Sequence, residues 1–219
     1  NNQLIHNNTS NGNRPQINMG PSAGDTLKIV GNTIIGQSIM AGGIAVSVLV
    51  GGNLIALVEG NHIENNRYGY AATGNNIMSI VRNNIIVDNN IQGEPNLGGS
   101  GLNFNGGVTN TALVKENIVR GNLWGVTIQG QATPNLGEEG NATTGFNVFE
   151  NNINNSTIFG LYNNTTGAIL AQHNYWGTDD EEVAAQYVVG QHQNPALGPV
   201  NFTPIWVPEA QILSFVFEA

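Results

Sequence analysis

The chain has 219 residues, enough for one large domain or two small ones. Only 10% are charged, against ~25% in ordinary globular proteins, and 29 glycines and 36 asparagines take up the difference. A net charge of −9, with six Lys and Arg scattered along the chain, leaves no basic stripe for nucleic acid.

From its first residues, N-N-Q-L-I-H-N-N, the chain alternates aliphatic runs with asparagine pairs, which reads as a cut inside a longer polypeptide. A partial unit over residues 4–19 is followed by units 22 to 33 residues apart, a solenoid spacing. Aligning the aliphatic residue after each asparagine gives one column: Ile34, Ile63, Ile85, Ile118, Val148 and Tyr175. Before it stand Thr33, His62, Asn84, Asn117, Asn147 and Asn174, and five residues before it Ile29, Val58, Ile80, Leu113, Thr143 and Leu170. Further on, a glycine leads a second strand at Gly43-Ile44, Gly69-Tyr70, Gly101-Leu102, Gly125-Val126 and Gly160-Leu161.

Each unit holds short segments of period-two alternation, such as Ile44, Val46, Val48 and Val50, and none with the length and period of an amphipathic helix. Strands that repeat without crossover helices predict an all-β, right-handed parallel β-helix with three short strands per coil. At ~4.8 Å per coil, roughly seven coils make a rod about 34 Å long. Asparagine then belongs at the corners, where it tolerates left-handed backbone and its amide can pair with the asparagine of the next coil.

Two related phrases, I-Q-G-E-P-N-L-G at 91–98 and I-Q-G-Q-A-T-P-N-L-G at 128–137, read as insertions. They form either a binding lip, with Asn96, Asn135, Glu138 and Glu139 as ligand contacts, or simple turns with one buried leucine. Tyr68, Tyr70, Phe104, Trp124 and Tyr162 lie near the glycine-led strands. Tyr70 falls in the aliphatic column, whereas Trp124 is the best placed for sugar stacking.

Towards the C-terminus, H-N-Y-W-G-T-D-D (173–180) and Q-N-P-A-L-G-P-V-N-F-T-P (193–204) resemble the end of pectate-lyase-like parallel β-helix domains of bacterial secreted and surface proteins. That family commonly closes on N-[WY]-W-G, a short acidic helix and D-P-x-L-G-x-V-x-F-x-P, with Asn194 here in place of the acid. The cap has its own physical logic: the open end of a β-helix must be covered. Asp179 is placed as helix N-cap with Glu182 three residues on, and Tyr175 and Trp176 supply bulk. Residues 1–177 are then coils and 178–206 the cap. Residues 207–219 read as a linker and the first strand, 212–218, of a following module that resembles an immunoglobulin-like domain.

The resemblance implies an extracellular, cell-surface or periplasmic setting and a polysaccharide or surface glycan as partner. Enzymes of that family cut acidic or neutral polysaccharides, as lyases with a basic residue and usually calcium or as hydrolases with two or three aspartates on neighbouring coils. Asp88 is the only aspartate between Asp25 and Asp179, so a stacked pair is hard to build. The best catalytic candidates are Glu64, Arg82, Lys115, Glu116 and Arg120, which otherwise read as solvent-facing strand positions. No His pair has metal-ligand spacing, no cofactor is implied, and the only calcium candidates are Glu138 and Glu139. With no cysteine in the chain, disulfides and thiolate sites are excluded. No apolar run reaches the ~18 residues of a membrane-spanning helix. Non-catalytic adhesion, display or carbohydrate binding is the preferred expectation, and a polysaccharide lyase or glycoside hydrolase the alternative.

Overall fold

The computed structural model describes residues 1–8, 12, 14–20, 24–48, 51–94, 97–151 and 159–209. Parallel strands gather into three sheets, here A, B and C, of six, seven and seven strands. The chain visits A, then B, then C, and returns to A one rung further on, which is the right-handed parallel β-helix the repeat predicts. Sheet A strands are three residues long, as in His62–Glu64 and Ile85–Val87. Those of sheet C run to six, as in Leu54–Glu59 and Ile77–Arg82.

Alternation decides which side chains enter the core. In Ile77–Arg82, Ile77, Ser79 and Val81 are buried while Met78 and Ile80 are only partly covered. The glycine-led column is the expected one: Ile44, Tyr70, Leu102, Val126 and Leu161 pair rung to rung, all fully buried. Glycine precedes them because the chain enters sheet B against the sheet A core. A Cβ on Gly69 would collide with Ile86 Cγ2 and lie 2.5 Å from the Gly101 carbonyl oxygen.

The sheet A column differs from expectation by one residue. Ile34 aligns with Ile63, but Ile63 aligns with Ile86, and Ile86 with Val119 and then Phe149. Ile85, Ile118 and Val148 belong to the neighbouring column with Thr33 and His62, and Ile85 is 41% exposed. Sheet C carries the same slip, since Ile29 and Val58 align with Val81 and Val114 rather than Ile80 and Leu113. Outward positions of both sheets also hold aliphatics, so hydrophobicity alone does not mark the inner side.

Asparagine marks it. Asn2, Asn32, Asn61, Asn84, Asn117, Asn147 and Asn174 stand at the C-to-A corner, and each Nδ2 donates to the Oδ1 of the next at 2.8–3.0 Å. Each backbone N–H in this ladder, up to that of Asn147, donates to the same oxygen. The left-handed backbone falls one residue earlier, at Gly31, Gly60, Asn83, Glu116, Phe146 and His173, with φ between 53° and 65°. The two tasks foreseen for one asparagine are thus shared by neighbours. A second ladder, Asn66–Asn89–Asn122–Asn151, lines the A-to-B corner at 3.0–3.2 Å.

At the C-terminal end Trp176 is fully buried and stacks on Phe149 with centroids 4.9 Å apart, while Tyr175 bridges to Val148 in the outward column. The helix Glu181–Ala184 is capped by Asp180, not Asp179: its Oδ1 accepts from the N–H groups of Glu182 (2.8 Å) and Val183 (3.2 Å). Asp180 has the extended backbone an N-cap needs, and Thr178 Oγ1 accepts its N–H. Val188–Val189 and Val200–Asn201 then extend sheets B and C.

Of the two expected insertions, 128–137 is none: strands Trp124–Gly130 and Thr133–Gly137 run through it, and Leu136 is core. The described parts of the other, 91–94 and 97–98, lie outside any strand between sheets A and B, with Leu97 55% exposed. Val50, Asn96 and the expected strand at 212–218 lie outside the described residues. Among the described residues no helix is long and apolar enough to cross a membrane.

Candidate functional site

The same alternation that buries one side of sheet B aims the other side outward. Ala45, Ala71, Asn103, Thr127 and Tyr162 align in one outward column, and Ser47, Thr73, Asn105, Gln129 and Asn164 in the next. These columns floor a groove of about 460 Å³. Tyr68, Leu97 and Gly98 border it, and Arg67 Nε donates to the Leu97 carbonyl at 2.7 Å. Towards the C-terminal end, successive coils bring three aromatic rings together. Trp124 stacks on Tyr162 at 4.9 Å and 19°, and Phe159 lies 5.8 Å from each.

Two features set the groove apart. Among the described residues its lining carries no acidic, basic or histidine side chain. Asparagine and glutamine behave differently here than at the corners: among the described residues, the side chains of Asn103, Asn105, Gln129 and Asn164 make no hydrogen bond to the protein. Thr127 Oγ1 and Ser100 Oγ pair with each other at 2.7 Å. Tyr68 lies over Gly42, where a Cβ would strike its ring, and burial pushes its phenol up to about 12 despite the opposing pull of Arg67. The groove therefore offers free amides that both donate and accept, beside a stacked aromatic surface, with no charge.

The expected catalytic residues lie elsewhere, each in an ion pair. Glu64 meets His62 at 2.8 Å and Arg120 meets Glu150 at 2.6 Å, both on the outer side of sheet A with Val87 between their rungs. Arg82 pairs with Glu59 at 3.1 Å and Lys115 with Glu116 at 3.2 Å. Arg82 and Lys115 end adjacent strands of sheet C and share a cavity of about 230 Å³ with Ile80, Leu113, Ala142 and Thr143. Lys115 is thus not in register with His62 and Glu64, which belong to sheet A.

Of the expected ligand contacts among the described residues, Trp124 alone lies in the sheet B groove. Glu138 lies near the C-to-A corner, where Asn141 and Asn135 donate to its Oε2 at 2.9 and 2.8 Å and hold its carboxyl below the ordinary range. Glu139 is exposed, and its backbone N–H donates to Gln172 Oε1 at 3.3 Å. Among the described residues no three His, Asp or Glu side chains gather as a metal ion requires. Tyr70 and Phe104 are core, whereas Tyr68 and Tyr162 line the groove. Sequence reasoning missed the four floor amides and Phe159. The only signal for the amides was their place at every second position beside Leu102, Phe104, Val126, Ile128, Leu161 and Asn163.

The molecule is a parallel β-helix with one uncharged amide-and-aromatic face. No protein family, curated protein or solved structure matches the chain.

Proposed function

We propose that this chain is a non-catalytic carbohydrate-binding β-helix domain, and that its glycan is neutral and lies in the groove of sheet B. One observation carries the reading: among the described residues, Asn103, Asn105, Gln129 and Asn164 stay unpaired within the protein, whereas the corner asparagines are committed to ladders. Sugar hydroxyls both donate and accept, which is what a free amide matches, while sugar C–H faces pack on rings such as Trp124 and Tyr162. A uronic-acid polymer would bring carboxylates to a groove whose described lining holds no cation.

The reading includes a secreted or cell-surface setting, which the likeness of residues 173–204 to the end of pectate-lyase-like domains supports. The test is a glycan array paired with reducing-sugar and unsaturated-product assays on uronic-acid polymers. Neutral glycans are retained and no product forms. Trp124→Ala weakens retention about tenfold, in line with the loss of one stacking ring. Turnover that disappears in Lys115→Ala or Glu116→Ala would establish an enzyme instead.

A further inference from the structure

A second cavity lies at the C-to-A corner. The left-handed position before the ladder asparagines is filled by Gly31, Gly60, Asn83, Glu116 and His173 in other coils and by the aromatic Phe146, at φ 57°, in one. A bulky side chain there is strained, and such strain collects where a site needs it. The Phe146 ring faces His173 at 6.1 Å and meets Trp206 edge-on at 5.6 Å, yet it remains 40% exposed.

Beside it is a cavity of about 290 Å³ lined by Glu138, Asn141, Thr144, Phe146 and His173. Glu138 Oε2 is fixed by Asn135 and Asn141, while its Oε1 accepts nothing among the described residues. We infer that this cavity binds a single neutral sugar ring, its C–H groups packing on the exposed part of the Phe146 ring and a hydroxyl donating to Glu138 Oε1. A positioned carboxylate oxygen beside an aromatic surface matches the two sides of a pyranose. A quaternary ammonium ion prefers several ring faces around it, whereas Phe146 turns one face to His173 and meets Trp206 edge-on. The sheet B groove plays no part in this site.

The test is an NMR titration of the full chain with methyl glycosides of glucose, galactose and mannose, and separately with tetramethylammonium. At least one glycoside shifts the resonances of residues 138–146 and of His173. Phe146→Gly, which restores the residue found at Gly31 and Gly60, weakens that binding about tenfold while leaving Tm unchanged or higher. Trp124→Ala leaves this titration unaltered. No response to any glycoside, a response to tetramethylammonium alone, or a lower Tm in Phe146→Gly would each overturn the inference, the last by showing that the ring is held for folding.

Discussion

Asparagine performs two unrelated tasks in this chain, and solvent access separates them. Asn117 is buried, donates from Nδ2 to Asn147 Oδ1, Val81 O and Lys115 O, and accepts both Asn84 N–H groups on its Oδ1. Its truncation strands several buried polar groups at ~1–3 kcal/mol each. Asn117→Ala is therefore expected to lower unfolding free energy by about 3–5 kcal/mol, read from the urea midpoint. Asn105→Ala on the groove floor removes no protein hydrogen bond, and its effect on stability should stay within about 0.5 kcal/mol. The pair of variants separates ladder from floor in one experiment.

Among elements, the glycine that opens each sheet B strand sets how closely sheets A and B approach. A Cβ on Gly101 would collide with Val119 Cγ1 and lie 2.9 Å from both Asn122 Nδ2 and the Gly125 carbonyl. Backbone and ladder groups cannot yield cheaply, so Gly101→Ala is expected to cost about 1–3 kcal/mol, a fall in Tm of about 2–4 °C per kcal/mol by calorimetry. This column was legible in the sequence because glycine tolerates no substitute there. The sheet A column was legible only through Ile63. Beyond it, Ile85 and Ile86 are equally hydrophobic, and nothing local says which faces inward. Aligning Asn32, Asn61, Asn84 and Asn117 on one another places the register, because the ladder binds coil to coil while an outward isoleucine binds nothing.

At the scale of the whole molecule, the charges among the described residues sit on sheets A and C, at corners and on the cap, and the described lining of the sheet B groove has none. Glycan binding there should stay level from about 0.05 to about 1 M salt, where charge-driven binding would fade. It should also stay level from about pH 5 to about pH 9. The Tyr68 phenol is raised in the folded state, so the stability it confers is intact below the ordinary tyrosine value of about 10 and is lost as pH rises towards about 12. Calorimetric titration across salt and pH checks both statements. The coiled architecture was readable from repeat length, but the groove was not. Its walls come from Tyr68, Leu97, Trp124 and Tyr162 on successive coils, and only the true coil lengths bring them together.

The C-to-A ladder also has a direction. Every side-chain oxygen from Asn32 to Asn174 faces the coil before it, and every donated N–H from Asn2 to Asn147 faces the coil after it. Aligned amide dipoles add, as they do along an α-helix, so the rod acquires a positive pole at its C-terminal end. Asp179, Asp180, Glu181 and Glu182 stand beyond Asn174 at that end, and the acidic cap is thereby an electrostatic terminator as well as a plug.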